Sequence, residues 1–215
     1  MAIRLLIADD HPIFRAGLRS LLATQAGVEI LAEVEDGLAA VEAARTRKPD
    51  LVVIDVSMPG MNGLEATRRI TAAAPGVKVL CLSMHSDRRF VDAALQSGAH
   101  GYLLKECALE ELVSAIHAVL AGQVYVSPGL GAAVLEDYRA EGHERSALSL
   151  LTSREREVLQ LLAEGHSARS IAARLDVSVK TVGTHREHLM RKLGTHSLSG
   201  LTKLAIREGL TSAEE

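Results

Sequence analysis

Short apolar runs recur along the first half of the chain: IRLLIA, VEILAEV, DLVVIDV, VKVLCLSM and AHGYLLK. Between them lie stretches with apolar residues three and four apart, among them RAGLRSLLATQ, GLAAVEAARTR, NGLEATRRITAA, DRRFVDAALQSG and LEELVSAIHAVLAG. Five strands alternating with five helices predict a parallel sheet with helices on both faces, because a parallel connection needs a crossover helix that then covers the sheet. From Leu148 onward every period is helical. LTSREREVLQLLAEG opens with Thr152 three residues before Glu155, the spacing of a capping box, and carries Val158, Leu159, Leu161 and Leu162 on one face. SARSIAARL, the turn DVS and VKTVGTHREHLMRKLG follow, with Ile171, Leu175, Val177, Val182, Leu189 and Leu193 at core spacing, and SLSGLTKLAIRE carries a last apolar stripe of Leu198, Leu201, Leu204 and Ala205.

Between these halves the periodicity fails. Ser127-Pro128-Gly129 and Gly131 break it, AAVLEDYRA is a short helical stretch, and EGHERS is polar, so residues 122–147 are read as a linker between a domain at 1–121 and one at 148–215. Within it GLGAAV resembles part of a dinucleotide-binding glycine motif, but the third glycine and a preceding strand are missing, and the segment is assigned to the linker.

Composition adds limits. Apolar residues make up 47% and charged residues 24%, the balance of a chain that buries cores rather than one that stays disordered. No run reaches the roughly 18–20 apolar residues a membrane span needs, and the aspartates in MAIRLLIADDH interrupt what would be a signal peptide, so a cytoplasmic protein without membrane attachment is expected. Cys81 and Cys107 have no metal-ligand spacing and are read as reduced, inert thiols. Residues 1–120 hold 12 Lys/Arg against 15 Asp/Glu, whereas residues 148–215 hold 10 against 8, which places the basic excess beside the helical patterns and suggests a polyanionic partner there.

In a parallel sheet chemistry gathers at the carboxyl ends of the strands. Asp9 and Asp10 end the first strand, Asp55 the third, Ser83 the fourth and Lys105 the fifth. Three carboxylates that close repel one another unless a cation joins them, and a hard divalent ion such as Mg²⁺ would hold them and leave room for a phosphoryl group. Asp55 is then the nucleophile that forms an acyl phosphate, with Lys105 neutralising charge on the phosphoryl oxygens. In the last domain, two helices joined by a short turn, the second carrying Lys180, Thr184, His185, Arg186 and Arg191, suit the DNA major groove. His185 and His188 stand three apart without an evident third ligand and are read as surface or phosphate-contacting residues rather than a metal site.

The residues D-D at 9 and 10, D-V-S-M-P-G-M-N-G at 55–63, Ser83 and Lys105 resemble the receiver domain of two-component response regulators over about residues 1–121. The resemblance implies that Asp9, Asp10 and Asp55 hold Mg²⁺ together with the backbone carbonyl of Ser57, that Lys105 pairs with the phosphoryl group, and that Ser83 and Tyr102 form a switch answering phosphorylation. LTSREREVLQLLAEG and IAARLDVSVKTVGTHREHLMRKLG are similar to the LuxR/NarL-type four-helix DNA-binding domain over about residues 148–211, and the two in this order resemble the NarL/FixJ family. That similarity implies DNA contacts from Lys180, Thr181, Gly183, Thr184, His185 and Glu187, and pairing of two copies through the last helix at Leu198, Leu201 and Leu204.

Two positions depart from the family pattern: Gly183 lacks the usual basic side chain, and Glu187 is acidic where basic or neutral residues are commoner. A carboxylate near phosphates is repelled unless it accepts a hydrogen bond from a cytosine amino group.

The expected fold is α/β, a five-stranded doubly wound, flavodoxin-like receiver of order 2-1-3-4-5, followed by an all-α four-helix helix-turn-helix domain. The expected partners are a sensor histidine kinase, double-stranded DNA, a second copy of the chain and RNA polymerase. The expected role is phosphorylation-controlled regulation of transcription, with no enzymatic activity beyond the protein's own phosphorylation and dephosphorylation at Asp55.

Overall fold

The computed structural model describes residues 2–107, 109–130 and 147–211. The expected linker helix AAVLEDYRA lies outside the described residues. The chain forms two compact units, the first reaching Gly142 and the second starting at His143.

In the first unit, strands β1 (Ile3–Ala8), β2 (Val28–Val34), β3 (Leu51–Asp55), β4 (Lys78–Ser83) and β5 (Gly101–Leu104) alternate with helices α1 (Pro12–Ala23), α2 (Gly37–Arg47), α3 (Gly63–Ala73), α4 (Arg88–Gln96) and α5 (Leu109–Leu120). All strands are parallel and the order begins 2-1-3-4-5, as expected. Strand geometry sends successive side chains to opposite faces, and both faces are buried. Leu6, Val52, Ile54, Val79 and Cys81 pack against α2, α3 and α4, while Leu5, Ile7, Val53, Leu80 and Leu82 pack against α1 and α5. This burial on both sides is why the strands read as continuous apolar runs instead of alternating ones.

The structure adds a sixth strand. β6 (Tyr125–Val126) pairs parallel with β5, Gly101 opposite Tyr125 and Tyr102 opposite Val126. It lies in the segment read from sequence as linker, so the sheet continues past residue 121. Gly122, at φ +85°, turns the chain at the end of α5. Ser127 then secures the new edge: its N–H donates to the Tyr102 carbonyl at 3.0 Å, and its hydroxyl donates to Glu111 at 2.5 Å while accepting from the Leu104 N–H at 3.3 Å. Two strand residues flanked by Gly and Pro carry too little periodicity to be read in advance.

In the second unit a 3₁₀ turn (Ala147–Leu150) precedes four helices, α6 (Ser153–Ala163), α7 (Ala168–Arg174), α8 (Val179–Leu193) and α9 (Leu198–Arg207). The capping box forms as its spacing implies, with Thr152 Oγ1 accepting from the Glu155 N–H and the Glu155 carboxylate accepting from the Thr152 N–H. Ser167, Ser178 and Ser197 cap the three helices that follow. Val158, Leu159, Ile171, Val182, Leu189 and Leu201 meet in one core.

The α9 stripe requires a correction. Leu201 is fully buried in its own domain's core and has no surface to offer a second copy, whereas Leu198 is exposed and Leu204 half-buried. A one-sided apolar helix has both core-facing and outward residues at the same spacing, so the period alone did not separate them.

Candidate functional site

The ends of β1, β3, β4 and β5 converge on one pocket. Asp9 and Asp55 are almost wholly buried, and Lys105, the first residue after β5, points its ammonium between them, 2.8 Å from Asp9 Oδ2 and 2.7 Å from Asp55 Oδ2. Its Nζ also stands 4.7 Å from the Phe14 ring centroid, where the ring face favours a cation. Lys105 is positioned by the sheet itself, since its N–H donates to the Ser83 carbonyl at 2.8 Å. The other Asp55 oxygen accepts from the Ser57 N–H at 3.2 Å, and Asp9 Oδ1 accepts from the His11 N–H at 2.8 Å.

Asp10 and His11 complete the rim. The His11 Nδ1 atom lies 3.0 Å from Asp10 Oδ1, 3.3 Å from Asp9 Oδ1 and 3.7 Å from Asp55 Oδ2. One ligand atom from each of Asp9, Asp10, His11 and Asp55 falls within 4.8 Å of the others, which among the described residues is the one such group able to hold a metal ion. The three carboxylates, two of them buried, offer the oxygen donors a hard divalent cation prefers, so the residues present fit Mg²⁺. His11 was missed from sequence. A single histidine at a helix start carries no motif, and only its adjacency to Asp9-Asp10 at a strand end could have pointed to it.

Burial is the largest influence on Asp55 and pushes its carboxyl up to about 6, with the Asp9 charge adding to the rise while Lys105 and the Ser57 N–H oppose it. For Lys105 burial opposes the charged form, but the two carboxylates outweigh it and hold the ammonium above its ordinary value. An unfolded Asp ionises near pH 4. Between pH 4 and 6 the folded protein therefore binds more protons at Asp55 than the unfolded chain does, and this group's contribution makes the metal-free protein less stable as pH rises through that window. A cation that requires ionised Asp55 must displace that proton below about pH 6. Mg²⁺ titrations in buffers of different ionisation enthalpy should show proton release near pH 5.5 and almost none at pH 8, with weaker affinity at the lower pH. Equal proton release at both would contradict the raised value.

Ser83 and Tyr102 meet through one residue that the sequence did not single out. Ser83 Oγ accepts from the His85 N–H at 3.1 Å, the Tyr102 hydroxyl donates to the His85 carbonyl at 2.7 Å, and the His85 ring stacks on Phe90 of α4 at 4.1 Å between centroids. Tyr102 is fully buried, standing inward, and burial pushes its phenol well above its usual range. Burial likewise pushes the Cys81 thiol up to about 12 and raises Cys107, so neither is readily ionised to a reactive thiolate; both are free of disulfides.

In the second unit α7, the turn at 175–178 and α8 form a helix-turn-helix. Lys180, Thr184, Arg186, Glu187 and Arg191 are exposed on α8, while Thr181 and His185 are half-buried. The helix is anchored at its far end. Lys192 Nζ lies 2.6 Å from Glu155 Oε2, the same carboxylate oxygen that completes the α6 capping box. Burial disfavours the Glu155 charge, yet Lys192 and Thr152 hold its carboxyl below the ordinary range. Arg154 pairs with Glu157 at 2.8 Å and donates to the Leu175 carbonyl, tying α6 to the start of the turn. No helix among the described residues is long and apolar enough to cross a membrane.

Residues 5–117 match the family model for the response regulator receiver domain, and residues 149–205 match that of bacterial regulatory proteins of the luxR family. The chain is 36% identical to the transcriptional regulatory protein DegU of Brevibacillus brevis, over 96% of this chain and 94% of the relative. It is also 36% identical to the response regulator UvrY of Escherichia coli K12, over 99% and 97% respectively. Among solved structures, RcsB of Salmonella enterica serovar Typhimurium, bound to the promoter P1flhDC in the presence of a phosphomimetic, is 28% identical, with a TM-score of 0.62 and coverage of 98% and 100%.

Proposed function

Because the chain belongs to the NarL/FixJ-type response regulators, DNA-binding transcription regulators that join a receiver to a LuxR-type helix-turn-helix domain, we propose that it receives a phosphoryl group on Asp55 from a sensor histidine kinase in the cytoplasm and answers by binding operator DNA as a dimer. The observation that carries this reading is the Lys105 ammonium held between Asp9 and Asp55, at 2.8 and 2.7 Å, in the end of the sheet where all three acids converge. The receiver comprises residues 1–121 with its edge completed by β6, the linker occupies the remainder to 147, and the DNA-binding domain covers 148–215.

An Asp55 oxygen attacks phosphorus, the P–O bond forms as the P–N bond to the donor imidazole breaks, and the electron pair leaves with the imidazole. Lys105 then pairs with an oxygen of the new phosphoryl group, and the Ser57 N–H holds the remaining Asp55 oxygen; Asp9, Asp10, Asp55 and the Ser57 carbonyl would hold Mg²⁺, which would offset the negative charge gathered there. The catalysis assigned to the chain is its own phosphorylation at Asp55 and the later dephosphorylation of that residue. Ser83 turns its hydroxyl toward the phosphoryl oxygens and gives up the His85 N–H. Tyr102, bonded to the same residue, changes with it, so the charge added at Asp55 reaches α4 through the His85 and Phe90 stack.

The second unit contacts DNA through Lys180, Thr181, Thr184, His185, Arg186, Glu187 and Arg191. Two copies pair through Leu198 and Leu204, and RNA polymerase is the downstream partner at the promoter.

The test is binding to a pool of random duplexes, with and without acetyl phosphate and Mg²⁺, at several stated salt concentrations, since phosphate contacts make affinity fall steeply with ionic strength. Acetyl phosphate should raise affinity at least tenfold and enrich an inverted repeat. Binding that is equally weak and sequence-blind in both states would refute control of operator binding by phosphorylation.

A further inference from the structure

Four exposed side chains on α8, Lys180, Thr184, Glu187 and Arg191, are spaced four, three and four residues apart and so form one stripe along the helix. Its ends are cations about 16 Å apart along the axis at 1.5 Å per residue, somewhat more than the roughly 12 Å width of the major groove. Laid in that groove, the stripe sets Lys180 and Arg191 toward the two phosphate walls and Thr184 and Glu187 toward the base edges between them.

Glu187 is the anomaly in this stripe. The four other glutamates described in the second unit each have a basic side chain within 4 Å: Glu155 has Lys192, Glu157 has Arg154, Glu208 has Arg207 and Glu164 has the His166 ring. Glu187 forms no hydrogen bond or ion pair among the described residues, although Arg191 stands one turn away, where a pair would readily form. One turn before it, on the same side of the helix, is Gly183, where an added Cβ would meet nothing within 4 Å. The carboxylate is therefore unpaired, unshielded and flanked by residues suited to phosphates.

We propose that Glu187 is a specificity residue that selects cytosine at one fixed position of each half-site, an inference that rests on the DNA-binding reading above. A carboxylate only accepts hydrogen bonds, and the major-groove edges of guanine and thymine offer it no donor. Adenine has a donor at N6 but sets the N7 acceptor beside it, which repels the second carboxylate oxygen. Cytosine has the N4 amino group without an adjacent acceptor on the same base, and acceptance from cytosine N4 is the established pairing for Glu and Asp. At guanine or thymine Glu187 only adds repulsion, and at adenine N7 offsets what N6 offers, so it works by penalising wrong sequences as well as by contacting the right one.

The experiment is selection from random duplexes by the full-length chain and by its Glu187→Gln variant, each with acetyl phosphate and Mg²⁺, followed by affinity measurements on a duplex of unrelated sequence. The wild type should prefer cytosine at one position per half-site by about tenfold or more. Glu187→Gln should lose that preference and shift toward adenine, whose N6 and N7 match an amide, while leaving the other positions unchanged. The same variant should bind the unrelated duplex more tightly, because one carboxylate has been removed from among the phosphates. A specific wild type whose base preferences survive Glu187→Gln at every position overturns this inference alone. A wild type that binds no duplex overturns both it and the DNA-binding reading.

Discussion

Replacing Asp55 by Asn should abolish phosphoryl incorporation from acetyl phosphate while leaving the fold intact. The amide nearly matches the carboxylate in shape, and its one oxygen can keep either the bond from the Ser57 N–H, 3.2 Å in the wild type, or that from Lys105, 2.7 Å, while Lys105 keeps Asp9 as a partner in both cases. It lacks the nucleophilic anion. Asp9 and Asp10 share the pocket, but Asp9 is held by Lys105 and the His11 N–H, and Asp10 stands at the rim. Intact-mass measurement after incubation with acetyl phosphate and Mg²⁺ should show a phosphorylated population for the wild type and none for Asp55→Asn. Without metal the variant should melt no lower than the wild type above pH 6, because it removes a buried charge from beside Asp9. Labelling of the variant at the wild-type level would move the phosphoacceptor elsewhere.

Gly63→Ala should cost more stability than any conservative surface change. A Cβ on Gly63 would lie 2.0 Å from the Asp55 carbonyl oxygen, 2.9 Å from its carbon and 3.0 Å from the Val56 Cα. All three are backbone, so no side chain can swing aside, and the Gly63 N–H is itself bonded to the Val56 carbonyl at 2.9 Å. Either α3 backs away from the sheet or the end of β3 moves and carries the Asp55 carboxylate with it. Overpacking of this kind costs on the order of 3 kcal/mol, which lowers Tm by on the order of 10 °C in a domain of this size, and phosphorylation by acetyl phosphate should slow with it. Gly17→Ala is the matched control. That glycine lies exposed inside α1 with nothing within 4 Å of its Cβ position, so the change should leave stability unchanged or raise it by up to about 1 kcal/mol. Equal melting of the two variants would show that the close approach at Asp55 is not required.

The parallel sheet and the pocket acids were legible for one reason: a strand buried on both faces is apolar throughout, so Asp9, Asp55, Ser83 and Lys105 stand out where the apolar runs stop. The capping box at Thr152 and Glu155 was legible because it is a purely local device. His11 and His85 were not. Their roles come from where a ring or a backbone carbonyl lies relative to residues far away in sequence, 44 positions for His11 and Asp55 and 17 for His85 and Tyr102. β6 escaped notice because its two residues are strand only through pairing with β5. Leu201 was misread because helical spacing reports which residues share a face, not which of them already face an inner core.

Lys192 bonds the same Glu155 carboxylate that completes the cap at Thr152, so the far end of α8 is tied to the start of the helix beneath it. The recognition helix is thus ordered when its domain folds, and little ordering entropy is left to be lost on docking with DNA. Control from the receiver has no reading head to reshape, which leaves it the question of when that head is offered and in what company.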